Sequence, residues 1–186
     1  ILKEEGVKAT FFVTSNGADE LIKRMYNEGH TVALHSYTHD YSYIYSSVDN
    51  YFEDLYAIQA KVKRITGHTS TIIRFPGGSS NAISKKYDGG IKIMSQLTEM
   101  VEKKGFRYFD WNVSAGDANG ATTKEKVIEN IKSGLTSRKT NIVLQHDLKS
   151  YSVDAVEEII KYGKEKGYTF RAITMSTPSV EHRLNN

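Results

Sequence analysis

A chain of 186 residues, 39% hydrophobic and 25% charged, has the makeup of one globular domain, 1–186, with a single sizeable core. A net charge of +3 does not argue for nucleic acid, though it permits an anionic polymer as substrate. The chain has no cysteine, which excludes disulfides, thiolate metal sites and cysteine nucleophiles, and no apolar run is long enough for a transmembrane helix.

The opening Ile1–Gly6 reads as the last turns of a helix ending at a glycine, so the chain is expected to have lost its beginning. Ala9–Val13 is β-branched and aromatic, a buried strand. Asp19–Glu28 follows as a helix with Leu21, Ile22 and Met25 as its apolar stripe. Thr31–His35 is the next strand. Tyr41, Tyr43 and Tyr45 then alternate with small or apolar residues, as in a tyrosine-rich loop packed on its own fold or a sugar-stacking surface. Asp49–Ile65 is a helix with Phe52, Leu55, Ile58 and Val62 inward, stopped by Gly67. Thr71–Arg74 is a strand running into Phe75-Pro76-Gly77-Gly78, where proline ends pairing and glycine lets backbone approach a ligand. Gly90–Lys104 is a helix with Ile91, Met94, Leu97 and Val101 inward, and Tyr108–Val113 a strand with Trp111 in the core. Thr122 or Thr123 caps a helix to about Leu135. Asn141–His146 is a strand, Val153–Lys166 a helix and Tyr168–Ile173 the last strand. Six strands separated by helices predict βα units and a parallel sheet, an α/β fold.

Chemistry-bearing residues fall at the ends of four of these strands: His35 and His39, Arg74, Asp117 and His146. In an α/β barrel such residues meet at one rim. His35 and His39 are four apart, a spacing that in a helical turn puts both imidazoles on one face, where they could hold a divalent metal. The alternative is two polar residues at a strand end, hydrogen-bonded to backbone.

His35-Ser36-Tyr37-Thr38-His39, Arg74-Phe75-Pro76-Gly77-Gly78, the Trp111-to-Asp117 loop and Leu144-Gln145-His146 occur in this order. Together they resemble the motifs of the polysaccharide deacetylase family, the NodB homology domain of carbohydrate esterase family four. The segment Val7–Val13 resembles that family's second strand. The resemblance implies an irregular parallel (β/α) barrel with its first strand missing here. It implies a hydrolase of amide bonds that removes N-acetyl groups from a cell-wall polysaccharide, peptidoglycan N-acetylglucosamine first. It also implies a divalent metal, zinc or a similar ion such as cobalt, and an extracellular or cell-surface location. Residue by residue, His35 and His39 match the metal histidines. Arg74 matches the arginine that orients the base aspartate, and Gly77 the backbone N–H that helps hold the oxyanion. Leu144 matches the acetyl-pocket leucine, His146 the histidine that protonates the leaving amine, and Asp117 its paired aspartate. A neighbouring carboxylate favours the imidazolium, which suits that role.

Two departures stand out. The family's Thr-Phe-Asp-Asp-Gly motif, which supplies the base and a third metal ligand, is absent, and we read this as loss of the first strand. Ala118 stands where many members have a groove-lining tryptophan. A sheet edge left open by a missing strand would favour association of copies. Competing expectations are a non-catalytic glycan-binding remnant of such an enzyme and an unrelated zinc hydrolase using Asp40 or Asp147 as a ligand.

Overall fold

The computed structural model describes residues 1–137 and 140–186. The chain divides into two compact units, one of Ile1–Ala9 with Trp111–Arg171, the other of Thr10–Asp110 with Ala172–Asn186.

The larger unit begins with strand β1 (Thr10–Val13), helix α1 (Asp19–Asn27) and strand β2 (Thr31–Leu34). A short helix α2 (Tyr41–Ile44), helix α3 (Val48–Thr66) and strand β3 (Ile72–Ile73) follow, then a 3-10 turn, helix α4 (Ile93–Lys103) and strand β4 (Arg107–Tyr108). The sheet runs β1-β2-β3-β4 with every pairing parallel, and β1 is an outer strand. Parallel neighbours need a long crossover, and the helices supply it. Ser47 opens α3 by accepting from the Asn50 N–H, and Gly67 closes it at φ 77°. Between these caps Phe52, Leu55, Ile58 and Val62 are buried, as are Met94, Leu97 and Val101 of α4. Each side chain of this size contributes about 1.5–3 kcal/mol on burial.

The smaller unit holds strand β5 (Val113–Ser114), helix α5 (Lys124–Gly134), strand β6 (Val143–Leu144) and helix α6 (Ser150–Glu165). β5 and β6 pair in parallel. Thr123 caps α5 through its hydroxyl, and Val113, Val127, Ile131, Ala155 and Ile159 form the core. Gly134 lets α5 lie close on β5: a Cβ there would stand 2.9 Å from Val113 Cγ1.

Several expectations are corrected. The expected strand Tyr108–Val113 is two short strands, because the Phe109 and Asp110 carbonyls are taken by Arg74 and the Asp110 N–H donates to Val180 O. Tyr168–Ile173 is not a strand. The Ile173 N–H and carbonyl bond the hydroxyls of Thr10 and Thr31 rather than a backbone ladder. Tyr41–Ile44 is helical, since Asp40 caps it by accepting from Ser42 N. Ile91 is 46% exposed because Asp88 ties down Gly90 and Ile93, so that α4 starts after it. Leu21 is 51% exposed, one position off the stripe of Ile22 and Met25, and Trp111 is half-buried rather than core.

Candidate functional site

In the larger unit, β2 delivers His35 with its N–H bonded to Val13 O. The His35 Nδ1 lies 2.8 Å from the Arg74 carbonyl. A carbonyl only accepts, so Nδ1 carries the proton and Nε2 the lone pair, the tautomer a metal requires. The loop that follows is not helical. His39 has φ 54°, a left-handed conformation, and its ring centroid is 5.1 Å from that of His35. The histidines therefore meet through a folded loop, not through helical spacing.

Asp54 of α3 holds that loop. Its carboxylate is buried and accepts from Ser36 Oγ at 2.6 Å, and from Tyr37 N, Thr38 N and Thr38 Oγ1 at 2.7 Å each. Ser36 Oγ in turn accepts from His39 N at 2.9 Å. The sequence reading missed Asp54. Its signal was an acid on the buried face of α3, between Tyr51 and Ile58 at helical spacing.

Arg74 is buried, donates to the carbonyls of Phe109 and Asp110 at 2.9 and 3.2 Å, and stacks 4.2 Å over the Phe12 ring. Burial lowers its pKa to about 10, with the Asp110 charge opposing, so it stays cationic at neutral pH. Asp110 was also missed. It is fully buried, accepts from Ser79 N at 2.8 Å, Ser79 Oγ and His182 N at 2.9 Å, and so pins the loop after Gly78 to the chain end. Gly77 is exposed at φ 75°, and a Cβ there would meet Asn81 Cβ at 3.0 Å. The Tyr45 hydroxyl fixes the preceding residue by donating to Pro76 O at 2.7 Å.

In the smaller unit, Asp117 and His146 are paired. His146 Nδ1 is 2.8 Å from Asp117 Oδ1, and His146 N donates to Oδ2 at 2.7 Å. The Ser152 hydroxyl, another group missed, donates to Oδ2 at 2.6 Å. The Asp117 carboxylate is 1% exposed and the His146 side chain 41%. Burial pushes the Asp117 pKa up, but the bonds from His146 and Ser152 outweigh it and the net shift is downward. With Nδ1 committed to an ionised carboxylate, proton exchange with a ligand falls to Nε2. Leu144 of β6 is half-buried and accepts from Ala115 N at 2.9 Å.

His35, His39, Arg74 and Gly77 thus belong to one unit, and Asp117, Leu144 and His146 to the other. Among the described residues no group of three or more His, Cys, Asp or Glu side chains could hold a metal ion. Two neutral imidazoles fit two of the four positions zinc takes. Asp40 is committed to the cap of α2, and its bonds from the Ser42 hydroxyl and N–H hold its pKa down. Asp147 is exposed beside His146.

The family model for polysaccharide deacetylase matches residues 1–92. A peptidoglycan-N-acetylglucosamine deacetylase of Bacillus cereus is 30% identical over 183 residues, which is 92% of this chain and 61% of that protein. The chain spans about three-fifths of the length of this relative and of two other curated relatives it matches. The catalytic domain of peptidoglycan N-acetylglucosamine deacetylase from Eubacterium rectale superimposes with a TM-score of 0.95 at 47% identity, covering 100% of this chain and 84% of that one. A polysaccharide deacetylase from Bacillus cereus gives a TM-score of 0.81 at 29% identity, covering 97% and 85%. These matches agree with the α/β class and the parallel strands expected from the sequence. The chain belongs to the polysaccharide deacetylase family, carbohydrate esterase family four.

Proposed function

We propose that this protein is a metal-dependent hydrolase that removes N-acetyl groups from a cell-wall polysaccharide, with peptidoglycan N-acetylglucosamine as the substrate, at the cell surface or outside the cell. The observation that carries the reading is the Asp117–His146 pair: an accessible imidazole whose Nδ1 is held by a buried carboxylate. Hydrolysis of the acetamide adds water to the carbonyl carbon, breaks the C–N bond and releases acetate, and the departing nitrogen needs a proton. His146 Nε2 supplies that proton, and Asp117 orients the ring and stabilises its charged form. Leu144 contributes an apolar wall for the acetyl methyl. Gly77 presents a backbone N–H, and no carbonyl or side chain among the described residues accepts it. Such a donor suits the charge that grows on the acetyl oxygen. His35 and His39 supply two ligands for zinc or a similar cation. When bound, that cation provides Lewis acidity and lowers the pKa of a coordinated water to about 7. Arg74, buried and cationic, holds the backbone at Phe109 and Asp110 through its guanidinium, and its own carbonyl holds His35 Nδ1.

The two-histidine donor set favours one alternative, a glycan-binding protein without catalysis. Among the described residues no helix is long and apolar enough to cross a membrane. The outer position of β1 supports association of copies through that edge. Incubating N-acetylglucosamine oligomers with the full-length gene product, followed by mass spectrometry, separates enzyme from binder: loss of acetyl groups supports the first, retention with unchanged oligomers the second.

A further inference from the structure

The Tyr41 side chain lies between two parts of the site and has no assigned task. Its ring packs edge-on against His39 with centroids 5.3 Å apart, and stacks at 6.0 Å on Tyr45. Tyr45 is itself fixed, fully buried and bonded to Pro76 O. The Tyr41 hydroxyl is thereby held 3.5 Å from the point a Gly77 Cβ would occupy, with Cε1 at 3.6 Å. Gly77 is exposed, so this hydroxyl borders the open face of the loop after β3.

The hydroxyls of the neighbouring tyrosines are spoken for or out of reach. Tyr43 donates to Glu53 at 2.8 Å and Tyr45 to Pro76 O. The Tyr51 hydroxyl has no partner among the described residues but is enclosed in the core, where no ligand arrives. The Tyr41 hydroxyl forms no hydrogen bond with any described residue, although it is a donor at neutral pH. A ring clamped on two sides, ending in an unused donor beside a metal-type histidine and a Gly77 N–H that is unpaired among the described residues, is organised for a ligand rather than for packing alone.

We propose that Tyr41 is a catalytic residue whose hydroxyl donates a hydrogen bond to the acetyl oxygen of the substrate, beside the Gly77 N–H. This rests on the deacetylase reading above. The donor would strengthen as negative charge builds on that oxygen, so its effect falls on turnover more than on substrate binding.

Tyr41→Phe keeps both ring contacts and removes only the hydroxyl. In the full-length protein, with N-acetylglucosamine oligomers as substrate, we expect kcat to fall about 10- to 100-fold with KM within about twofold, near the low end for loss of one such donor. Bound zinc, measured by elemental analysis, and the melting temperature should not change. Acetate binding, followed by NMR, should weaken. Tyr43→Phe, which removes a hydroxyl from the same helix, should leave kcat unchanged. A Tyr41→Phe enzyme with wild-type kcat, or with an effect confined to KM, overturns the assignment while wild-type acetate release still stands for the deacetylase reading. Absence of acetate release from the unmutated protein refutes that reading and this inference together.

Discussion

The replacement Asp54→Asn probes how the histidine loop is built. The Asp54 carboxylate accepts four hydrogen bonds from Ser36, Tyr37 and Thr38. At about 1.5–3 kcal/mol for each bond to a charged acceptor, the sum is about 6–12 kcal/mol. That sum is a ceiling, because Tyr37 and Thr38 are exposed and water can take over their N–H groups. Ser36 is buried and has no such recourse, and its hydroxyl also anchors His39 N. Asparagine retains one accepting oxygen and turns an amide NH2 toward the remaining donors. We expect a loss of about 2–4 kcal/mol in unfolding free energy, read from urea titration by circular dichroism. His39 sits at φ 54°, a conformation that costs a non-glycine residue about 1–3 kcal/mol unless its surroundings enforce it. Without the clamp it should relax, and cobalt titration of the same variant should show at least about tenfold weaker binding, the usual cost of removing a supporting group. A variant within about 0.5 kcal/mol of wild type that binds cobalt equally well would refute the reasoning, since the loop would then hold itself.

His146→Ala should lower kcat by about 10²–10⁴-fold with metal content unchanged, as expected for loss of a general acid that is not a ligand. Asp117 has a folded-state pKa below the unfolded value of 3.8, so the stability it contributes is present above that pH and lost as pH falls through the folded value. Asp117→Asn should therefore flatten the acid limb of the stability profile, and an unchanged limb would contradict the pairing. Gly77→Ala forces a Cβ onto φ 75° and against Asn81, so it should cost about 1–2 kcal/mol in a thermal melt and reduce turnover.

Most of the alternation was legible, because β-branched runs such as Thr10–Val13 and glycine stops such as Gly67 act locally. That His35, Arg74, Asp117 and His146 lie just beyond strand ends was legible too. The partners were not. Asp54 and Ser152 look like ordinary helix positions, and Asp110 like a charge in an aromatic strand, because spacing does not reveal which distant donors a carboxylate accepts. The break in the strand around Phe109 depends on Arg74, thirty-five residues away in sequence. The meeting of His35 and His39 was expected from helical spacing, whereas a tertiary clamp on a left-handed turn produces it. In each case a long-range hydrogen bond overrode a local preference.

The most direct test of the central claim is acetate release from N-acetylglucosamine oligomers by the full-length protein, stripped of metal and then titrated with zinc. The account predicts little release from the stripped protein, recovery that levels off at about one zinc per chain, as one four-coordinate site requires, and no recovery in His39→Ala. Release that survives metal stripping, or that returns undiminished in His39→Ala, would contradict it.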